Sequence, residues 1–200
     1  GTFSAKVDTV SPALSLDIIA TSGSNGWYVS PATITAIGSD STSGLSSVFL
    51  SVDNGAGISS TTLNEGMYRI VVQAEDNAGN IANSTTTISV DTTTPMIDVS
   101  VNGTTGSNGW YSSSMQVSAT SNDATSGVAS LESSLDGGVY QAYTSPFSFA
   151  DGYHTVQFKA VDRAGNETET SIQEFYVDTI APTVDLPAQW EVNDTITYKV

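Results

Sequence analysis

Seven aspartates recur at matching places along this chain of 200 residues, and they are the residues best suited to chemistry. They stand in three repeated phrases, which read Val-Asp-Thr, Asp-x-x-Ser-Gly and Asp-x-Ala-Gly-Asn. The seven are Asp8, Asp40, Asp76, Asp91, Asp123, Asp162 and Asp178. Carboxylates and backbone carbonyls together can supply the roughly six to eight oxygen ligands that calcium takes. The aspartates therefore predict calcium sites where the fold brings three of them together.

The same aspartates have a second interpretation that needs no ion. An Asp side chain can accept a hydrogen bond from the backbone N–H two residues further on, which forms an Asx turn. Gly79 and Gly165 would supply the positive φ that such a loop requires. Turn chemistry alone accounts for Asp and Gly recurring in both copies, and it can coexist with a bound ion.

The charge of the chain limits its partners. Five basic residues stand against 21 acidic ones, which gives a formal net charge of −16. Nucleic-acid binding needs clustered Lys and Arg, and an anionic membrane surface repels such a chain, so we expect neither partner. No stretch approaches the roughly 20 apolar residues of a membrane-spanning helix, so we expect no membrane insertion. The carboxylates can attract a hard cation, or they can simply keep the protein soluble.

Groups that usually carry catalysis are scarce. The chain has no Cys, so it has neither disulfides nor thiolate chemistry. His154 is the single histidine, and it falls in the inward-facing series of a predicted strand, where we interpret it as structural. No glycine-rich phosphate loop and no paired-carboxylate motif is present. We predict that the chain is not an enzyme.

A hinge phrase divides the chain into repeats. Val-Asp-Thr-x-x-Pro begins at Val7, Val90 and Val177. A phrase that returns at a domain-sized interval indicates an array of similar modules. We predict that residues 1–7 are the last strand of a preceding repeat, that 8–90 and 91–177 are two complete modules, and that 178–200 begin a third, truncated one.

Apolar residues alternate with polar ones along short segments, as Ala32, Ile34 and Ala36 do, and Met115 and Val117 after them. This period of two predicts strands with one face on a core, and turns at regular spacing make each module an antiparallel β-sandwich. In module one we predict strands at 13–20, 31–38, 45–53, 57–61, 61–64, 67–75 and 83–90. In module two the fourth and fifth strands are predicted at 139–143 and 147–149.

The sandwich would gather the aspartates at one pole of each module. The hinge entering a module and the loops after its second and sixth strands all lie at that pole. It would hold Asp8, Asp40 and Asp76 in module one and Asp91, Asp123 and Asp162 in module two, and Asp178 would begin a third. Each pole would also abut the far end of the module before it, where the loops of module one carry Asn25, Asp53 and Glu65.

Two Trp-Tyr pairs, Trp27-Tyr28 and Trp110-Tyr111, follow a Gly-Ser-Asn-Gly turn in each module. One interpretation makes them platforms on which a sugar stacks. The other gives them an architectural role, since Trp combines a large apolar area with one N–H to satisfy and suits the open end of a core. Their recurrence in both modules favours architecture.

Three motifs are similar to those of a known family. They are the hinge phrase, the Ser-Leu-Asp-Gly-Gly of module two and the Ala-x-Asp-x-Ala-Gly-Asn of both modules. Together they resemble the bacterial immunoglobulin-like repeats of large surface adhesins, surface-layer proteins and multimodular secreted enzymes. Module one departs from the pattern, since it reads Asp53-Asn54-Gly55 where module two has Asp-Gly-Gly. The resemblance implies an all-β chain of tandem immunoglobulin-like sandwiches, an extracellular location and calcium at the module junctions.

A spacer is the function we expect from this organisation: a segment of a long extracellular surface protein that presents distal domains. Three alternatives stay open, namely a glycan- or protein-binding module, accessory repeats of a secreted enzyme, and a polymerising filament subunit. The expected partners are neighbouring repeats of the same chain, and then other surface proteins, like subunits or glycans.

Overall fold

A computed structural model describes residues 2–184, and all of their regular secondary structure is β. The strands of module one are β1 (Ala13–Ile19), β2 (Trp27–Tyr28), β3 (Ala32–Ser39), β4 (Leu45–Val52), β5 (Ser60–Leu63), β6 (Gly66–Asp76) and β7 (Ile81–Val90). Those of module two are β8 (Met96–Asn102), β9 (Trp110–Tyr111), β10 (Met115–Asn122), β11 (Val128–Leu135), β12 (Gln141–Ala142), β13 (Phe147–Phe149), β14 (Gly152–Asp162), β15 (Glu167–Glu169) and β16 (Gln173–Val177).

Two sheets enclose the core of module one. One has the strand order β1-β3-β5 and the other β2-β7-β6-β4. Alternate residues of β3 and β6 are buried, as their period of two requires. The core consists of Ala32, Ile34, Ala36, Leu50, Leu63, Ile70, Val72, Ile88 and Val90.

Module two repeats this plan with a more aromatic core. Its sheets have the orders β13-β10-β8 and β12-β11-β14-β16-β9, and β15 pairs with β14. The core consists of Met115, Val117, Ala119, Val156, Phe158, Phe175 and Val177. Complete burial of a side chain such as that of Phe158 stabilises the fold by about 1.5–3 kcal/mol. The predicted all-β sandwich fold is confirmed.

Hairpin turns are set by residues that tolerate positive φ. Asp53 and Asn54 have φ of 50° and 64°, and Asp136 and Gly137 have 49° and 70°. Positive φ at both central residues defines a type I′ turn, which matches the twist of the strands it joins. These turns end β4 and β11 and send the chain to the edge of the sheet.

Some predicted strands are shorter than expected. In the segment 57–61, Ile58 makes only an isolated bridge with Leu50, and only Ser60 and Thr61 belong to a strand, β5. The segment 139–143 contains only the two residues of β12. Both segments follow glycine-containing turns at a sheet edge, where pairing on one side alone holds the chain. The two-residue strands β2 and β9, which pair in parallel with β7 and β16, were not predicted, because two residues show no alternation.

The segment before the first hinge differs from its prediction. Residues 2–7 are exposed and form no strand, although 1–7 was expected to be the last strand of a repeat. A strand needs a partner for its backbone hydrogen bonds, and no strand within 2–184 pairs with this segment. The predicted third repeat at 178–200 lies mostly outside the described residues. The described part includes no helix with the length and apolar character of a membrane span.

Candidate functional site

Each module gathers three aspartates at one pole. Their nearest carboxylate oxygens lie within 4.8 Å of one another. We call Asp8, Asp40 and Asp76 the first cluster, and Asp91, Asp123 and Asp162 the second cluster. One member precedes the first strand of its module, one follows β3 or β10, and one ends β6 or β14. The sequence placed these six residues at the two poles, and the structure has them there.

The last member of each cluster is held by its own loop. Oδ1 of Asp162 accepts hydrogen bonds from the backbone N–H of Gly165 at 2.6 Å and of Asn166 at 2.8 Å. Its Oδ2 accepts the Asn166 amide at 2.8 Å, and that amide also donates to the carbonyl of Asp91 at 3.0 Å. Asp76 and Asn80 make the equivalent contacts in module one. The Asp-x-Ala-Gly-Asn phrase therefore joins its loop to the hinge.

The middle member closes the loop after β3 or β10. Oδ1 of Asp123 accepts the N–H groups of Ser126 at 2.9 Å and Gly127 at 2.8 Å. In module one, Oδ1 of Asp40 accepts the equivalent N–H groups of Ser43 and Gly44, each at 2.8 Å. These are the turn contacts that the sequence offered as the alternative to an ion. In both residues Oδ2 accepts no hydrogen bond from the described part of the chain, so one oxygen is free for a ligand.

The hinge aspartates complete the clusters. Asp91 accepts the N–H of Ser126 at 3.1 Å and the N–H of Thr93 at 3.1 Å. Asp8 accepts the equivalent groups of Ser43 at 2.9 Å and Val10 at 3.0 Å. Of the three hinge prolines, the two that precede these modules, Pro12 and Pro95, are buried.

Neither cluster has a neutralising side chain. Within residues 2–184 no Lys or Arg nitrogen lies within 4.0 Å of any of the six carboxylates. Three like charges this close together repel one another, and the N–H donors around them or a bound cation can offset the repulsion. Hard oxygen ligands of this kind suit calcium.

A loop of module one contacts the pole of module two that carries the second cluster. The backbone N–H of Ser24 donates to the carbonyl of Ala164 at 2.7 Å, and the Asn25 amide donates to the carbonyl of Arg163 at 2.8 Å. Gly23 lies so close that a Cβ there would be 2.3 Å from the Ala164 oxygen. This loop of module one therefore sits directly on the loop that carries Asp162.

Glu65 makes the other contact between the modules. Its Oε1 accepts the Thr125 hydroxyl at 2.7 Å, and its Oε2 accepts the backbone N–H of Thr92 at 2.9 Å and the Thr92 hydroxyl at 2.8 Å. The carboxylate therefore bridges the end of module one, the hinge and the loop of Asp123. Asp53, which was expected at this end, instead accepts the N–H of Arg69 on β6 of its own module.

The contact between the modules shifts the pKa values of its carboxyl groups. Burial pushes the pKa of Glu65 up, but hydrogen bonds from Thr125 and Thr92 outweigh it and lower the pKa to about 2. Burial raises the pKa of Asp91, and the neighbouring Glu65 and Asp123 act in the same direction. By contrast, hydrogen bonds from Ser43 and Val10 lower the pKa of Asp8.

Asp178 stands apart from both clusters. Within the described residues it joins no group of three acidic side chains. Its Oδ1 accepts the N–H of Ile180 at 3.0 Å. Asp151 holds the next residue, Thr179, through its N–H and its hydroxyl, each at 2.9 Å, as Glu65 holds Thr92.

The Trp-Tyr pairs form β2 and β9, and the two residues of each pair have different environments. Tyr28 and Tyr111 pack against the two cores. Trp27 is half-buried, whereas Trp110 is 42% exposed and lies 5.6 Å from the ring of Tyr176. The tyrosines therefore have the structural role that the sequence favoured. Of the two tryptophans, only Trp110 exposes much of its ring to solvent.

His154 has the contacts of a structural residue. Nδ1 lies 3.2 Å from a carboxylate oxygen of Asp136, Nε2 lies 3.1 Å from the carbonyl of Ala150, and the ring stacks on Phe149 at 4.8 Å. These contacts hold the ring at the far end of module two.

Sequence reasoning did not identify Ser24, Thr92, Thr125 and Ala164, which make the contact between the modules. The contact of Ser24 with Ala164 is made by backbone groups, which the residue types do not reveal. The Gly-Ser-Asn-Gly phrase that occurs in both modules was the available signal, and only its Asn25 was predicted to lie at the junction.

The paired sheets, the hairpin turns and the repeated loops define the chain as a pair of β-sandwich modules. Residues 108–179, in module two, match the family model of the bacterial Ig-like domain, in agreement with the resemblance that the motifs suggested. Domains of this family are typically structural and non-catalytic, and they are common in extracellular proteins.

Among solved structures, the chain is similar to the fibronectin(III)-like modules of Clostridium thermocellum CbhA. The sequence identity is 16%, the TM-score is 0.38, and the match covers 82% of this chain and 94% of that chain. No curated protein sequence matches the chain.

Proposed function

We propose that this chain is a spacer segment of a long extracellular surface protein, in which Ig-like modules are joined end to end and present distal domains. The observation that carries the proposal is the contact between the modules. Glu65 and the loop of Ser24 and Asn25 bind the pole of module two, so the hinge is held by hydrogen bonds on two sides. A hinge held in this way fixes the orientation of one module relative to the next, which a spacer requires.

The second cluster would hold a calcium ion at this contact. Asp91 and Asp162 are almost fully buried, with 0% and 2% exposure, and Asp123 contributes an oxygen that accepts no hydrogen bond from residues 2–184. The acidic groups crowded here without a cationic partner are the chemistry that favours a divalent ion. An ion that binds only the folded state stabilises it, so calcium would stiffen the contact.

Scanning calorimetry in calcium and in chelator tests the ion. At a calcium concentration about 100 times the Kd, linkage predicts a stabilisation of about 2.7 kcal/mol. Asp123→Asn keeps the turn acceptor but removes the ligand charge, so it should abolish most of this shift. Asp98→Asn, which removes an exposed charge from β8, is the matched control and should leave it unchanged. Equal melting midpoints in calcium and chelator would exclude the ion.

The location is tested separately. Antibodies against the two modules should label intact cells of the producing organism, and external protease should remove that label. Labelling that appears only after cell lysis would contradict an extracellular spacer, whatever the calorimetry shows.

Glycan binding is the second candidate, and one observation favours it. Trp110, Tyr176 and Tyr153 lie side by side on β9, β16 and β14, with ring centroids 5.6 Å and 5.1 Å apart. Their exposures are 42%, 40% and 52%. Adjacent exposed rings are suited to stacking on the apolar faces of sugars. In module one the positions equivalent to Tyr176 and Tyr153 are occupied by Ser89 and Met67, so this row of rings is particular to module two.

A glycan array with Trp110→Ala tests this candidate. Trp27→Ala is the matched control, because Trp27 has no aromatic neighbour at the position of Tyr176. Loss of retention in the first variant alone would support stacking on module two. Equal retention in both variants and the parent would rule it out.

A further inference from the structure

Module two has a cleft between the edge strands of its two sheets. Ser133 and Leu135 of β11, Gln141 of β12 and Phe147 of β13 line it. Its volume is about 390 Å³, which is within the range of roughly 300–1,000 Å³ that small-molecule sites occupy. None of the residues that line it belongs to a hinge phrase or to an acidic cluster. The cleft is therefore a feature of the sandwich itself and not of the contact between modules.

Two polar residues replace an apolar pair at the wall of this cleft. In module one, Leu50 pairs with Ile58 at the sheet edge, and Leu50 is completely buried in the core. The strand registers place Ser133 and Gln141 at the equivalent positions, where they pair with each other. The same backbone pairing therefore fills the edge of the core in module one and presents hydrogen-bonding side chains to a cleft in module two.

Ser133 is the strongest indication of a ligand. It is only 6% exposed and lines the cleft, and its hydroxyl makes no hydrogen bond within residues 2–184. A buried hydroxyl without a partner is unfavourable, so a polar ligand atom in the cleft would be a favourable partner for it. The side chains of Gln141, Thr144 and Ser145 also line the cleft, and in the described part of the chain they make no hydrogen bond either.

The rest of the cleft is apolar and uncharged. The ring of Phe147 is anchored against that of Phe158, with centroids 6.4 Å apart, and Leu135 packs against the same core. The described residues that line the cleft include no Asp, Glu, Lys or Arg. A charged ligand would find no counter-charge here, and a purely apolar ligand would leave the Ser133 hydroxyl unpaired.

We infer that this cleft binds a neutral sugar ring of hexose size. Sugar hydroxyls both donate and accept hydrogen bonds, and so do the three hydroxyls and the one carboxamide that line the cleft. The apolar C–H face of the sugar would pack against Phe147 and Leu135. The inference goes beyond the proposed function, because a spacer needs no such cleft. The exposed rings of β9, β14 and β16 contribute no residue to it.

The expected affinity is low, because the ligand is small, and we expect a Kd on the order of 1 mM. Amide chemical shifts of the full chain, titrated separately with glucose, galactose and mannose to about ten times this Kd, test the site. For at least one of the three sugars, the shifts of Ser133, Gly138 and Gln141 should saturate together. Glucuronate has the same ring with a carboxylate, and it should show no saturation over the same range.

Substitutions taken from module one close the cleft. Ser133→Leu and Gln141→Ile give module two the pair that module one has, and each should abolish the saturable shifts. Ser133→Ala keeps the space and removes only the hydroxyl, so it should weaken binding about fivefold through the lost hydrogen bond. Gln116→Ile, at an exposed position of β10, is the matched control and should bind as the parent protein does.

The variants also keep the inference separate from the two proposals above. Trp110→Ala should leave the sugar affinity of the cleft unchanged, because Trp110 does not line it. If Ser133→Leu overpacks the core, Ser133→Ala and Gln141→Ile still test the same site. The inference would be overturned by an absence of saturation with all three hexoses or by saturating shifts confined to β9 and β16. Equal binding of glucuronate, or undiminished binding by Gln141→Ile and Ser133→Ala, would overturn it as well.

Discussion

The two poles have nearly the same sequence and the same internal hydrogen bonds, yet they differ in environment. In the first cluster Asp76 is buried, but the hinge residue Asp8 is only half-buried and has a lowered pKa. The second cluster lies beneath module one, and Asp91 is completely buried with a raised pKa. Local sequence therefore sets the turns, whereas the neighbouring module sets the burial and the charge balance. The environment of an acidic cluster of this type therefore depends on the module that packs against it.

The largest change should come from Gly23→Ala, because the new Cβ would lie 2.3 Å from the Ala164 carbonyl and 2.6 Å from Val29. Overpacking of this kind costs about 1–3 kcal/mol. Gly106→Ala is the matched control, since its nearest atom would be 3.4 Å away. Denaturant unfolding should show a loss for the first variant only.

The clash with Val29 lies within module one and has to be separated from the contact between the modules. Adding Val29→Ala removes that clash and leaves the clash with Ala164. If Gly23→Ala then costs no more than Gly106→Ala, the loop of module one does not press on module two in solution.

A smaller effect is expected from Glu65→Ala. It removes three hydrogen bonds to a half-buried carboxylate, which after allowance for solvent screening should cost about 1–2 kcal/mol. The modules should then melt in two separate transitions. Asp151→Ala, which removes only the exposed bonds to Thr179, should cost less than about 1 kcal/mol. Equal losses in the two variants would mean that Glu65 does not join the modules.

The smallest effect is on titration, and it compares Asp91 with Asp8 directly. In chelator, carboxyl chemical shifts should show Asp91 titrating above its ordinary pKa and Asp8 below it. Glu65→Gln should bring the pKa of Asp91 down, because one neighbouring carboxylate is removed and Asp123 and Asp162 remain. The pKa of Asp8 should not move. Matching pKa values for Asp8 and Asp91 would show that the second pole is uncovered in solution.

The two shifts have opposite consequences for stability. The lowered pKa of Glu65, about 2, gives stability that is complete above its ordinary value of 4.5 and is lost as the pH falls through about 2. The raised pKa of Asp91 gives stability below its ordinary value of 3.8, which is lost as the pH rises through the raised pKa. Glu65→Gln should therefore flatten the stability profile at acid pH.

The sequence predicted the sandwich well, because period-two alternation in segments such as Ala32 to Ala36 reflects burial on one face. It also predicted that Asp91, Asp123 and Asp162 would meet, since all three stand at loops of one pole. It could not predict the covering of that pole. The decisive groups there include the Ser24 N–H and the Ala164 carbonyl, and backbone groups leave no trace in residue type. The short strands β2 and β9 escaped prediction because two residues carry no periodicity.

A distance measurement between the modules tests the central claim most directly. The chain has no cysteine, so Ser47→Cys and Ser148→Cys, both at exposed positions, place spin labels on one module each. Double electron–electron resonance should give a narrow distance distribution, and Gly23→Ala or Glu65→Ala should broaden it. A broad distribution in the parent protein, unchanged by either substitution, would show that the modules move independently and would contradict the spacer account.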